Sequence, residues 1–165
     1  MRLVILGAGG YGKTIADVAE QLNIYDEIVF LDDGDNSYLP CSAYVNYKSD
    51  CIYPAFGNNK IRLAWIDKLM LAGIQVPSFV HPTAYVSPTV SLGFGCVILP
   101  MAVVNTNTLV EKGCIINCGA IVDHDCLLEP GVHVCIHASV KANNKIASCV
   151  KIEAGCIVEN GSWKR

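Results

Sequence analysis

The sequence is poor in charge and contains no concentration of basic residues. Asp, Glu, Lys and Arg make up 16% of its 165 residues, the formal net charge is −3, and no run of Lys or Arg exceeds two residues. This excludes the electrostatic signature of a protein that binds nucleic acid or an anionic membrane. No apolar run reaches the ~18 residues that a membrane span needs. The short N-terminal apolar run lacks the cleavage site of a signal peptide.

A disulfide scaffold is also not indicated, although the chain has nine cysteines. Their number is odd, and hydrophobic residues make up 52% of the sequence, which is enough for an ordinary core. Structural disulfides belong to secreted proteins with small cores. We therefore expect free thiols in a cytoplasmic protein.

The second half of the chain has a six-residue repeat. Every sixth residue from position 80 to position 158 is Leu, Ile or Val. A second column, four places later, holds small or compact residues, with Asn144 as the largest polar exception and with four cysteines: Cys96, Cys114, Cys126 and Cys156. We interpret these cysteines as buried packing residues. A period of six cannot keep one face of a 3.6-residue helix apolar, so the repeat excludes a helix.

The repeat predicts stacked triangular coils over residues 78–165. Three hexapeptides close one coil, so that each stretch of 18 residues lies beneath the next, and each coil buries its inner face only against its neighbours. The fourteen repeats give between four and five coils. Four polar residues are expected to cap the open edge of the last coil: Glu159, Asn160, Ser162 and Lys164.

Residues 1–77 follow the pattern of an α/β nucleotide-binding unit. A buried strand at residues 3–6 leads into a G-x-G-x-x-G loop at residues 7–12, then a helical pattern, then a second strand that ends at Asp32 and Asp33. In this order the glycines let the backbone approach a phosphate, and the acids accept hydrogen bonds from a ribose or a base. A tight turn without any ligand is the alternative interpretation.

About 77 residues are too few for a full dinucleotide domain. We therefore expect a Rossmann-like half-domain that binds one nucleotide rather than NAD. Gly57 and Asn58 follow a third predicted strand (52–56) and are expected at the same crevice as Gly9 and Gly10. A second helix is predicted at residues 61–73.

The histidines of the repeat region are candidates for chemistry. His124 is third in its hexapeptide, at a corner and outside both inward columns, so it is either a functional residue or a solvated surface histidine. An imidazole suits proton removal at neutral pH, and either Asp123 or Asp125 could support it. His133, Cys135 and His137 alternate along the chain and suggest a zinc site, but we expect no metal. His81, before Pro82, is interpreted as a structural entry to the repeats.

Both halves together resemble a bacterial family of sugar acyltransferases with hexapeptide repeats. It includes the nucleotide-amino-sugar N-acetyltransferases of the bacillosamine and perosamine type and the sialic acid O-acetyltransferases. The matching stretches are residues 7–13, 30–33, 57–62, 80–84, 116–126 and 133–134. The resemblance implies that the β-helix is left-handed, against the usual crossover rule.

The resemblance also implies acetyl transfer from acetyl-CoA to a sugar amine or hydroxyl, in a homotrimer with active sites between neighbouring β-helices. By position, His124 would be the general base, Asp125 would raise its basicity, Asn117 would lie near the reacting groups and His133 near acetyl-CoA. The nucleotide of the sugar would meet six residues of the N-terminal half: Gly9, Gly10, Asp32, Asp33, Gly57 and Asn58.

The main reaction that the resemblance implies is N-acetylation of a UDP- or dTDP-linked 4-amino-4,6-dideoxy sugar. The alternative is O-acetylation of sialic acid or another sugar. Members of this family usually continue for another coil or more beyond the position of Arg165. Either CoA binds in a shortened groove, or the protein is a trimer that binds nucleotide-sugar without turnover.

Overall fold

In the computed structural model, which describes residues 1–163, the first apolar run is the central strand of a parallel sheet, sheet A. Strand β1 (Arg2–Leu6) pairs with β2 (Glu27–Leu31) on one side and with β3 (Cys51–Pro54) on the other. Four consecutive residues of β1 are completely buried: Leu3, Val4, Ile5 and Leu6. A strand covered on both faces needs such a continuous apolar run.

Two α-helices and a 3₁₀-helix complete the first unit, which spans Met1–Pro77. Helix α1 (Gly10–Leu22) follows the glycine loop, the 3₁₀-helix is Cys41–Tyr47, and α2 (Asn59–Leu71) follows β3. Helix α2 begins two residues before the predicted start because the side chain of Asn58 accepts hydrogen bonds from the amides of Lys60 and Ile61. No helix within residues 1–163 is both long and apolar enough to cross a membrane.

From Ser78 onward the second unit is a parallel β-helix. Its fourteen described strands have two residues each and recur every six residues. They form three sheets. Sheet B contains β4 (Phe79–Val80), β7 (Val97–Ile98), β10 (Ile115–Ile116), β13 (His133–Val134) and β16 (Lys151–Ile152). Sheet C contains β5 (Tyr85–Val86), β8 (Val103–Val104), β11 (Ile121–Val122), β14 (Ser139–Val140) and β17 (Ile157–Val158). Sheet D contains β6 (Ser91–Leu92), β9 (Leu109–Val110), β12 (Leu127–Leu128) and β15 (Lys145–Ile146).

The coil period is 18 residues, as the repeat predicts. Ile116, for example, pairs with Ile98 in the coil below and with Val134 in the coil above. The second residue of each strand points inward, and in the central coils these aliphatic residues and the small column form one buried core. The coil is left-handed, which confirms the predicted fold class.

The interpretation of the cysteines is confirmed for three of the four and wrong for Cys156. Cys96, Cys114 and Cys126 are fully buried, whereas Cys156 is exposed because no described coil stacks above it. Within the predicted polar cap, Glu159 forms an ion pair with Lys141. Lys164 lies outside the described residues.

The small column also satisfies backbone carbonyls. The Cys96 thiol lies 3.1 Å from the carbonyl oxygen of Glu111, and the Cys126 thiol lies 3.3 Å from that of Lys141, in each case 15 residues ahead. Thr108 makes the same contact with a hydroxyl, at 2.8 Å from the carbonyl oxygen of Asp123. Buried carbonyls need hydrogen-bond partners, so this column does more than fill space.

The corners share one backbone conformation. The second turn residue of successive hexapeptides, beginning at Gly95, has a positive φ, and six of these positions carry a residue other than glycine: Met101, Asn107, Asp125, His137, Asn143 and Cys149. A positive φ at this position is typical of a type II turn. His137 and Asn143 therefore adopt the conformation that glycine adopts at the same turn position in other hexapeptides, for example at Gly113 and Gly119.

Candidate active site

His124 and Asp125 are the two central residues of the turn between β11 and β12. Neighbouring side chains on an extended chain point apart. Here the φ of Asp125 is 55°, and this bend brings its Oδ2 to 2.7 Å from Nδ1 of His124. Asp123, the other candidate partner, accepts a hydrogen bond from the backbone N–H of His124 instead. The imidazole is therefore held by Asp125.

The carboxylate of Asp125 makes His124 a stronger base. The hydrogen bond between the two side chains raises the pKa of His124 above its ordinary value, and the charges of Asp123 and Asp125 add to the effect. The same hydrogen bond lowers the pKa of Asp125. With Nδ1 donating to Asp125, Nε2 of the neutral ring is left as a proton acceptor. Half of the imidazole surface is exposed, which leaves this acceptor accessible.

Two asparagines from the coil below, which no sequence motif indicated, support the two acids of the turn. Asn105 donates from Nδ2 to Asp123 at 3.1 Å, and Asn107 donates from Nδ2 to Asp125 at 3.2 Å. Each asparagine lies 18 residues before its partner. The 18-residue period of the coils is therefore the sequence signal that could have identified these two asparagines.

Thr108 holds the same turn from beneath. Its hydroxyl donates to the carbonyl oxygen of Asp123 and accepts from the backbone N–H of Cys126, at 2.8 and 3.2 Å. The side chain is completely buried. One hydroxyl therefore bridges the first and last residues of the turn that carries His124.

Replacing Thr108 with valine is expected to destabilise the protein by about 1–3 kcal/mol. Valine has the same shape, but it leaves the carbonyl of Asp123 and the amide of Cys126 without their buried hydroxyl partner. Urea denaturation measures the loss. Thr108→Ser is the matched control, because it keeps the hydroxyl, and it should retain most of the stability. Equal unfolding midpoints for Thr108→Val and the parent protein would contradict the role of the hydroxyl.

Asn117 and His133 form a second pair of predicted site residues. The side-chain amide of Asn117 follows β10, and its Nδ2 lies 3.1 Å from Nε2 of His133 on β13. Its Oδ1 accepts from the backbone N–H of Cys118 at 2.8 Å. In the assigned orientation the amide donates to Nε2, which makes this nitrogen an acceptor.

The structure does not join the two pairs at one corner of a coil. Asn117 precedes β11, whereas His124 follows it, so the pairs flank opposite edges of sheet C. The zinc interpretation of His133, Cys135 and His137 gains no support, because residues 1–163 contain no group of three His, Cys, Asp or Glu side chains that could hold a metal ion.

In the first unit, a crevice of about 360 Å³ lies at the carboxyl ends of the three parallel strands. It is lined by four predicted nucleotide-contacting residues, Gly9, Asp32, Asp33 and Gly57, together with neighbours that include Phe56. In the strand order β2-β1-β3, the connection after β1 leads to its neighbour on one side, and the connection after β2 crosses back over β1 to the other side. Such switch points are where open α/β sheets bind their ligands. The other two predicted residues, Gly10 and Asn58, begin α1 and cap α2.

The acids of the crevice hold its rim together. Asp32 accepts from the amide of Ala8 at 2.6 Å and from the amide of Gly34 at 2.7 Å, while Asp33 accepts from the amide of Cys41 at 2.8 Å. The carboxylate of Asp32 thus links the glycine loop to the loop after β2. A carboxylate has further lone pairs, so both acids keep acceptor capacity for a ligand.

The glycines of the loop have different surroundings. A Cβ atom at Gly9 or Gly10 would meet nothing within 4 Å, whereas one at Gly12 would lie 1.9 Å from the carbonyl oxygen of Gly7. Gly12 therefore allows α1 to pack closely against the end of β1. Gly9, the N-cap residue of α1, provides no capping side chain, and this leaves the helix N-terminus available to an anion.

Comparison with known proteins gives both units a relative. Residues 2–69 match the family model of the PglD N-terminal domain. A GDP-perosamine N-acetyltransferase of Escherichia coli O157:H7 is 27% identical over 123 residues. That alignment covers 66% of this chain and 55% of the relative, so the chain spans about half of the curated protein's length.

Solved structures match over nearly the whole chain. The acetyltransferase domain of PglB from Neisseria gonorrhoeae FA1090, in complex with acetyl coenzyme A, is 35% identical with a TM-score of 0.88, covering 96% of this chain and 82% of that domain. PerB from Caulobacter crescentus, in complex with CoA and GDP-perosamine, shares the fold with a TM-score of 0.84 at 22% identity, covering 97% and 89%. Given the identity to the PglB domain over most of both chains, this chain belongs to the family of hexapeptide-repeat sugar acetyltransferases.

Proposed function

We propose that this chain transfers the acetyl group of acetyl-CoA to the amine of a nucleotide-linked amino-sugar, with His124 as the general base. The observation that carries the proposal is the pair His124–Asp125, in which a half-exposed imidazole is oriented and made more basic by a carboxylate at 2.7 Å. The Neisseria domain binds acetyl coenzyme A, and the Caulobacter enzyme binds CoA and GDP-perosamine. The ligand of the Caulobacter enzyme supports a nucleotide-linked amino-sugar as the acceptor, and within that class we propose a UDP- or dTDP-4-amino-4,6-dideoxy sugar.

The side chains of the turn suit the required proton transfer. Acetyl-CoA supplies the acetyl group as a thioester. Nε2 of His124 takes a proton from the sugar amine while the nitrogen attacks the thioester carbonyl; the C–N bond forms, the C–S bond breaks, and the proton passes on to the leaving thiolate. Asp125 stabilises the imidazolium that exists in between. Asn117 is proposed to lie near the reacting groups and His133 near acetyl-CoA.

The crevice of the first unit is proposed to hold the nucleotide of the acceptor. The N-terminus of α1 offers backbone N–H groups and a favourable dipole to a phosphate, and Gly9 and Gly10 leave space for its approach. Gly57 lines the same crevice, and Asn58 follows it as the N-cap residue of α2. Asp33, which is exposed, is available to a ribose hydroxyl or a base amine.

The outer face of sheet C supports a homotrimer. Four of its five outward residues are apolar, and Tyr85, Ile121 and Ile157 among them are exposed; Ser139 on β14 is the exception. This face is bounded by the corner of Asn117 on one edge and that of His124 on the other. In a cyclic trimer, one edge of each subunit meets the opposite edge of its neighbour. Trimer formation would thereby bring the two pairs of site residues together.

Ile121→Asp is expected to convert the trimer to monomer and to remove nearly all activity. A carboxylate on the apolar face would lose its water in the interface with no partner to compensate for it. Light scattering measures the mass, and an activity assay follows the rate. Ser91→Asp is the control, because it adds the same charge at an exposed outward position of sheet D. A trimeric Ile121→Asp protein would place the interface elsewhere.

The proposed activity is tested by combining the protein with acetyl-CoA and UDP- or dTDP-linked 4-amino-sugars and following free thiol. Thiol release that depends on the acceptor supports the proposal. Turnover with sialic acid but not with these amino-sugars would favour O-acetylation. Nucleotide-sugar binding by calorimetry, without CoA binding or thiol release, would identify a non-catalytic binding protein instead.

A further inference from the structure

We propose that Asn107 is a positioning residue that holds Asp125 in the orientation in which it binds His124. The inference rests on the proposed role of His124 as the base. It extends that role to a side chain in a different coil, 18 residues away, that does not contact the imidazole in the described structure.

The contacts form a continuous path along one corner. The backbone N–H of Asn107 donates to the hydroxyl of Thr89 at 2.9 Å, the amide Nδ2 of Asn107 donates to Oδ1 of Asp125 at 3.2 Å, and Oδ2 of Asp125 meets Nδ1 of His124 at 2.7 Å. Asn107 and Asp125 occupy the same turn position, with φ of 59° and 55°. Each oxygen of the carboxylate therefore has its own partner, which fixes the plane of the group.

An amide is well suited to this position. It donates a hydrogen bond without adding a positive charge, which would lower the pKa of His124, and without a negative charge, which would repel Asp125. Asparagine also tolerates a positive φ better than most residues. Within the turn, the charged side chains near His124 are those of Asp123 and Asp125. The coil below presents only neutral side chains at this corner: Asn105, Thr106 and Asn107. The coils above present an ion pair between Lys141 and Glu159.

Asn107→Gly tests the proposal with little backbone disturbance, because glycine adopts the positive φ readily. Without the amide, Asp125 remains solvated but can rotate away from His124. The pKa of His124 is expected to fall toward its ordinary value, because the carboxylate no longer stays within hydrogen-bond distance of Nδ1. NMR titration of the imidazole C–H signals measures this change, and the acid limb of kcat/KM should move to lower pH in parallel. Asn107→Ser, whose hydroxyl is too short to make the contact, is a second truncation.

Asn143→Gly is the matched control. Asn143 occupies the same turn position one coil above Asp125, with a φ of 58°. Removing its side chain should leave the pKa of His124 essentially unchanged. An unchanged or raised pKa in Asn107→Gly, or an equal fall in both variants, would overturn the proposal. The titration needs no substrate. A protein without acetyltransferase activity would therefore contradict the proposed function and still leave the positioning role measurable.

Discussion

Replacing His124 with alanine is expected to lower kcat by about 100-fold or more. The imidazole carries the proposed proton transfer, and Asp125, the carboxylate that contacts it, is a much weaker base and cannot replace it. Its side chain is half exposed and outside the core, so the fold should tolerate the change. Steady-state kinetics with acetyl-CoA and the amino-sugar should show the loss in kcat, with KM values and the thermal midpoint close to those of the parent.

The pH dependence of the parent enzyme provides an independent check on the same residue. A protonated imidazole cannot accept a proton, so the rate should fall as the pH drops through the pKa of His124. Because Asp125 raises that pKa above its ordinary value of 6.5, the acid limb should lie above pH 6.5. In His124→Ala the acid limb should disappear from the residual activity.

His124→Asn separates basicity from hydrogen bonding. Asparagine can still donate to Asp125 but cannot accept a proton at neutral pH. If His124 is the base, this variant should lose as much activity as His124→Ala. Near-normal turnover in either variant would move the proton transfer to another group, and retained activity in His124→Asn alone would indicate a role limited to the hydrogen bond.

The strands of the β-helix could be predicted to the residue. Each strand contains one inward aliphatic residue at the six-residue period, and a shift of one position would turn Ile116 or Val134 outward. Because the geometry of the coils repeats with the sequence, the six-residue period of the aliphatic residues is enough to place every strand. The prediction of buried cysteines failed at Cys156, because burial depends on a coil stacked above as well as on the column.

The residues alone left the partner of His124 open between Asp123 and Asp125, and only the family resemblance favoured Asp125, because the deciding quantity is a backbone angle. Nothing in residue type alone assigns a positive φ to Asp125, since Met101 and Cys149 adopt the same conformation at the same turn position. By contrast, the contacts of Asn105, Asn107 and Thr108 follow from stacking residues 15 or 18 positions apart. Combining the coil period with side-chain chemistry would therefore have predicted the support of the turn.

The N-terminal crevice followed from element order rather than from any single motif. Strand, glycine loop, helix and strand in succession indicated where backbone amides and acids would meet, and Gly9, Asp32 and Gly57 do line one cavity. The hydrogen bonds of Asp32 to Ala8 and Gly34 were not foreseen. They arise because loop amides at the strand ends need acceptors, and an acid at the end of β2 is the nearest one.

Gly12→Ala is expected to destabilise the first unit by about 3 kcal/mol or more and to abolish nucleotide-sugar binding. The new methyl group would lie 1.9 Å from the carbonyl oxygen of Gly7, a backbone atom that cannot turn aside. Helix α1 would have to move away from β1, and the loop between them lines the crevice. Denaturant unfolding and calorimetry with the nucleotide-sugar measure the two effects.

Gly10→Ala is the matched control, because it adds the same methyl group two residues earlier. There a Cβ atom meets nothing within 4 Å, and alanine within a helix is favoured over glycine by roughly 0.5–1 kcal/mol. Stability should therefore be unchanged or slightly higher, while affinity for the nucleotide-sugar falls if a phosphate approaches the N-terminus of α1. Normal binding by Gly10→Ala would remove this residue from the proposed phosphate site. An equal loss of stability in both variants would contradict the separation of Gly12, which allows helix packing, from Gly10, which leaves room for a ligand.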